Sequence, residues 1–208
     1  MEKSSNIRFM IYIDILSIFK IGRSIQWESF RENSIFRILY LSSVLYSFRF
    51  PEKESPFNIY KFSIDFTGPY DASISKAIAF LLKDDFIERS EGEDVFRIGR
   101  NFSNEIFEIN LEEERTSWIK QIIYILGIYG ENKIYEFIFR DPEYQNTIKS
   151  NTNQGLNTTI DNQTVQTLSV FKEAFEESLG DNAHELSSQR YLELYFEYVF
   201  SRILKREE

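Results

Sequence analysis

The stretch Phe66-Thr67-Gly68-Pro69-Tyr70-Asp71, running on to Ile74, Ala77, Ile78, Leu81 and Leu82 and then to Phe86-Ile87-Glu88-Arg89, decides how the chain is read. Gly68-Pro69 signals a turn, because glycine accepts positive φ and proline fixes its own. Asp71 or Ser73 supplies a side-chain acceptor for the first N–H groups of a helix from Ala72 to Lys83. The apolar residues of that segment recur at three- and four-residue steps and form one face of the helix. Phe86 to Arg89 reads as a short strand, Ser90-Glu91-Gly92-Glu93-Asp94 as a polar turn, and Val95, Phe96 and Ile98 as the return strand.

Upstream, Ile7, Met10, Ile11, Ile15, Ile18 and Phe19 predict a helix over Asn6 to Lys20. Ile35, Ile38, Leu39, Leu45 and Tyr46 predict another over Glu32 to Phe48, and Pro51 forbids its continuation. From Asn58 to Phe66 the period changes to two, with Tyr60, Phe62, Ile64 and Phe66 on one side, the pattern of a half-buried strand. Helices followed by strand, helix, strand, turn and strand make the order of a winged helix.

Downstream, helices are expected over Glu112 to Ile128 and Lys133 to Arg140, the second stopped by Asp141-Pro142. Asn146 to Gln163 is mostly Asn, Thr, Gln and Gly, with little to bury. Thr164 to Leu179 and Glu185 to Lys205 read as two closing helices, with Gly180-Asp181-Asn182 as the turn between them. The expected architecture is α+β and predominantly helical, a winged-helix core with additional C-terminal helices. Residues 1–145 form the helical and winged-helix domain, 146–163 a polar flexible linker or loop, and 164–208 a C-terminal helical segment. A second winged helix in the later half, making a tandem, stays open.

Composition narrows the functions. The 208 residues carry a net charge of −9, no cysteine and one histidine. A protein that grips DNA unaided needs a basic stripe to neutralise phosphates. Without cysteine no disulfide or thiolate metal site can form, which fits a cytoplasmic protein. The apolar run from Ile7 to Ile21 is interrupted by Arg8, Asp14 and Lys20 and falls short of the about 20 residues of a membrane span. It is read as a buried helix, and no membrane association is expected. His184 sits at an expected helix start with no ligand partners at metal spacing. The acids at Asp84-Asp85, Glu91, Glu93, Asp94 and Glu112-Glu113-Glu114 fall on turns and a helix start, where solvation accounts for them. No phosphate-cradling glycine loop is present. No catalytic residue, cofactor or metal is expected, and the chain is read as non-enzymatic.

Two uses of the winged helix remain. As a DNA reader it would offer Ser73, Ser75 and Lys76 from its helix, with Arg89, Arg97 and Arg100 for phosphates. Its surroundings are acidic, however: Asp71, Asp84 and Asp85 flank the helix and Glu91, Glu93 and Asp94 form the wing tip. That balance turns it toward protein partners. Twenty Phe and twelve Tyr point the same way, since aromatics are enriched in interface cores. The final helix carries Tyr191, Tyr195, Phe196, Tyr198 and Phe200 around most of its circumference. It either inserts into this chain's own core or turns one face to a second chain.

Thr67-Gly68-Pro69-Tyr70-Asp71 with Ile74, Ile78, Leu81 and Phe86-Ile87-Glu88, together with Tyr129-Gly130-Glu131-Asn132-Lys133-Ile134 and Asp141-Pro142-Glu143-Tyr144, resembles the middle component of bacterial three-component ABC systems. Lamassu-type anti-phage defence, with its LmuC-like subunit, is the relative named by these motifs, and the resemblance covers about Ile7 to Tyr144. It implies a non-enzymatic adaptor that bridges an SMC/Rad50-like ATPase to an effector nuclease and restrains the effector until foreign DNA is sensed. DNA would be met only as part of that complex. The Gly-Pro-Tyr turn with its helix and Phe-Ile-Glu strand is also similar to SocA-like antitoxin or proteolytic-adaptor domains. A winged-helix transcriptional regulator is the third alternative.

Overall fold

The computed structural model describes residues 2–90, 92, 94–103, 113–150, 155–179, 187, 190 and 192–198. Helix α1 (Glu2–Ser24) is followed by α2 (Glu32–Arg49), every residue of which from Ser34 to Phe48 is buried. A helix that is apolar all round can be satisfied only in the middle of a fold, and α2 packs against elements on several sides, including the helices Glu113–Gly127, Gly130–Arg140 and Gln163–Leu179. Its serines are compatible with burial because Ser42 and Ser43 donate to the carbonyls of Ile38 and Leu39, each at 2.8 Å.

The segment expected as one strand from Asn58 to Phe66 divides. Phe57–Tyr60 is a turn, closed by the Tyr60 N–H on the Phe57 carbonyl. Only β1 (Ser63–Asp65) is extended and paired, and it pairs antiparallel with β2 (Gly68–Tyr70), with Ile64 opposite Pro69. Gly68-Pro69 is thus a strand, not the turn; the turn is Phe66-Thr67, and Gly68 takes φ +129° to leave it. Pro69 is tolerated because a two-stranded sheet has an open edge. Alternation would bury Phe66, but the chain reverses there and leaves it 98% exposed.

Helix α3 (Ala72–Lys83) begins and ends where the sequence places it. Asp71 caps it, accepting from the Ser73 N–H at 2.7 Å while its other oxygen takes the Lys61 N–H at 2.5 Å. Strands β3 (Ile87–Arg89) and β4 (Phe96–Ile98) form an antiparallel hairpin closed by the Ser90 N–H on the Val95 carbonyl. Phe30, between α1 and α2, adds a one-residue bridge on the other side of β4: it exchanges both backbone hydrogen bonds with Phe96, at 3.0 and 2.8 Å.

Helices α4 (Glu113–Gly127), α5 (Gly130–Arg140), α6 (Pro142–Lys149) and α7 (Gln163–Leu179) follow, and residues 192–198 are helical. Asp141-Pro142 does end α5, but the same pair starts α6, with proline at its first turn and Asp141 accepting from the Tyr144 N–H at 2.9 Å. Asn146 to Lys149 therefore belong to a helix and not to a linker. Residues 155–162 are a polar loop held down by the Leu156 N–H on the Phe62 carbonyl (2.8 Å) and by the Ser47 hydroxyl on the Thr158 carbonyl (2.7 Å). One apolar cluster runs from Ile11 through Leu156 to Phe196, so residues from all three sequence divisions share a core. Among the described residues no helix is long and apolar enough to cross a membrane.

Asp141 is 1% exposed and also accepts from the hydroxyls of Tyr40 and Thr164. Burial outweighs these bonds and pushes its carboxyl from 3.8 up to about 6. The folded state therefore holds this proton more tightly than the unfolded chain. The contribution is complete below the unfolded pKa of 3.8 and is lost as pH rises through about 6. The loss amounts to about 3 kcal/mol. Urea unfolding of Asp141→Asn and of the unaltered chain is expected to show stabilities that diverge by that amount across this window, in favour of the asparagine at neutral pH. Parallel pH curves would refute the assignment.

Candidate functional site

The face of α3 that a DNA reader would use is largely engaged at home. Ser73 is half-buried and bonds Asp71, and Ser75 is half-buried with its hydroxyl on the Glu32 carboxylate at 3.3 Å. Lys76 and Lys83 are exposed, and Phe80, 40% exposed, stacks on Tyr12 of α1 with ring centroids 4.7 Å apart.

Each of the three candidate phosphate-binding arginines faces a carboxylate. Arg89 pairs with Asp94 at 3.3 Å across the hairpin turn and lies over the Phe96 ring. Arg100 pairs with Asp85. Arg97 stands opposite Glu88 in the β3–β4 register. Exposed pairs of this kind contribute little to stability, but they cancel the positive field that a phosphate backbone would need. Asp94 keeps the turn acidic; Glu91 and Glu93 lie outside the described residues. Beside β4 a hollow of about 480 Å3 is lined by Lys20, Arg23, Ser24, Ile98 and Phe102.

The aromatic face of the last helix is partly consumed by the fold. Phe196 is fully buried and Tyr195 is 6% exposed. Their rings meet Phe137 of α5 at 5.1 and 6.4 Å, and Tyr195 meets Phe171 of α7 at 5.7 Å. Of the residues read as partner-binding, Tyr198 remains outward at 46% exposure. Tyr191, Phe200 and His184 lie outside the described residues. A side chain with no exposed surface meets no partner, so Phe196 is an internal residue.

Among the described residues no group of three or more His, Asp or Glu side chains is placed to hold a metal ion. Two features escape the sequence reading. Phe66 projects from the β1–β2 turn, and Arg37 is 5% exposed in the middle of the apolar α2. A lone guanidinium inside Ile35-Phe36-Arg37-Ile38-Leu39 was the signal available for the second. No family model matches the chain, and no curated protein or solved structure matches it.

Proposed function

We propose that the chain is a non-enzymatic adaptor built on a winged-helix core, working as a subunit of an anti-phage defence complex. In this reading α1, Phe30, α2, α3, β3, the 90–95 turn and β4 supply helix, first strand, helix, recognition-position helix, strand, wing and strand, with the β1–β2 hairpin inserted before α3. The antiparallel Phe30–Phe96 bridge supports that assignment, because it lays the Phe30 segment beside β4, the order in which the first strand of a winged helix lies beside the last. The observation that carries the adaptor reading over the DNA reader is the facing of Arg89, Arg97 and Arg100 by Asp94, Glu88 and Asp85. The link to an SMC-like ATPase and an effector nuclease rests on the Gly-Pro-Tyr-Asp and Tyr-Gly-Glu to Asp-Pro-Glu-Tyr resemblance.

Affinity purification of the chain expressed with its neighbouring genes is the test. The expected result is a stoichiometric complex containing a coiled-coil ATPase and a nuclease. Recovery of the chain alone would overturn the proposal. So would sequence-specific, salt-sensitive binding of the isolated chain to its own promoter, which is the regulator's signature.

A further inference from the structure

The β1–β2 turn stands beside a cleft of about 350 Å3 whose wall includes Arg31 and Arg37 of the α2 region, Phe66 and Thr67 of the turn, and Glu131 and Tyr135 of α5. Arg37 has five N–H donors. One donates to the Thr67 carbonyl at 2.6 Å, and the guanidinium lies 4.7 Å from the centre of the Tyr135 ring. Its Nε is buried and has no hydrogen-bond partner. The nearby acid, Glu131, is engaged elsewhere: it accepts from the Arg31 backbone N–H at 3.1 Å and pairs with the Arg31 guanidinium at 3.8 Å. Among the described residues no carboxylate hydrogen-bonds this nearly buried guanidinium, and burial holds its pKa below the ordinary arginine value against the weaker pull of Glu131. The first turns of α2 and α5 both open onto the cleft, and neither has a side-chain cap. Their backbone dipoles favour negative charge, which Glu32 and Glu131 in those first turns supply in part.

We infer that this cleft docks a protein segment presenting a carboxylate side chain next to an apolar one, the carboxylate pairing with Arg37 and the apolar group covering Phe66. Charge and shape select this occupant. Glu131 at the rim and the chain's net charge of −9 repel a phosphate dianion or a nucleic acid more strongly than a single carboxylate, whose one charge the Arg37 guanidinium can match. Phe66 at 98% exposure and Tyr135 at 45% give the aromatic and arginine surroundings that concentrate binding energy in protein interfaces. The inference rests on the adaptor reading and names the surface that would hold a partner.

The probe is a blocked peptide, acetyl-Gly-Glu-Leu-Gly-amide, titrated against the full chain while the Arg37 Nε–H signal is followed by 15N NMR. Its glutamine counterpart and inorganic phosphate are the comparison arms. The expected result is a saturable shift for the glutamate peptide, with the glutamine peptide about tenfold weaker. Arg37→Met identifies the signal by its loss. Because that variant removes the Thr67 contact and risks the fold, Phe66→Ala at the exposed tip is the second variant, expected to weaken the peptide about fivefold. Equal shifts from both peptides, phosphate binding as tightly as the glutamate peptide, or indifference to Phe66→Ala would each overturn the inference. Co-purifying partners with no peptide binding would remove the cleft and leave the adaptor; peptide binding with no co-purifying partner would do the reverse.

Discussion

Asp14→Ala is expected to destabilise the chain by about 3–5 kcal/mol, the usual cost of leaving one partner of a buried ion pair behind. Asp14 is 1% and Arg115 2% exposed. Arg115 holds Asp14 by Nε at 3.1 Å and by a second, shorter bond, and donates a third to the Pro56 carbonyl. The Tyr60 hydroxyl donates to the same carboxylate at 2.5 Å. Burial pushes the Asp14 carboxyl up, against the pull of Arg115. One cluster thus ties α1 to α4 and to the 56–60 turn. Alanine would remove the carboxylate that two of these bonds reach, beneath a guanidinium that lies over the Phe57 ring. Adding Arg115→Met should recover most of the loss, because an apolar replacement removes both desolvation costs together. Urea unfolding of the two variants is the measurement. A single variant within 1 kcal/mol of the unaltered chain would contradict this account. So would a double variant no better than the single.

Phe196→Ala is expected to cost about 3–5 kcal/mol, the range for emptying a buried aromatic site. Phe196 has no exposed surface, and its ring packs at a tilt against Phe137 and edge-on against Tyr195. Tyr198→Ala, by contrast, should cost about 1 kcal/mol or less, since nearly half of that residue faces water while its ring meets Phe171 at 5.8 Å. The pair of variants separates the two uses of the last helix. If Phe196→Ala keeps the unfolding midpoint and instead breaks a purified complex, the ring belongs to an interface and the packing described above is wrong.

What the sequence exposes follows from how local each determinant is. Helix α3 is legible to the residue because its cap, its apolar period and its end coincide within Asp71 to Asp84. Strand β1 is not, because alternation carries no information about where a chain reverses; the reversal at Phe66 depends on β2 returning to pair with it. Asp141-Pro142 is a stop for one helix and an equally good start for the next, and only packing tells that α6 exists. The polar loop at 155–162 looks unable to fold, yet Asn162 at its end and Thr164 in the first turn of α7 are fully buried, because their side chains donate to the Asn157 carbonyl and to Asp141. For the candidate surfaces the same limit applies. Arg89, Arg97 and Arg100 are visible as cations, but their carboxylates arrive through turn and register. Arg37 is visible as an oddity in α2, while the cleft around it is assembled from residues about 30 and 100 positions further on.

The Phe30 bridge also limits how another chain can attach. Extended peptides commonly bind by adding a strand to an open sheet edge, with backbone groups supplying the affinity. At Phe96 both of those groups on the outer side of β4 already belong to Phe30. The outer edge of β3 carries exposed Glu88 and Arg89, charges of the kind that discourage a foreign strand. A partner meeting this hairpin must therefore recognise side chains, and its selectivity will be set by sequence at the surface and not by backbone pairing, which any extended segment could supply.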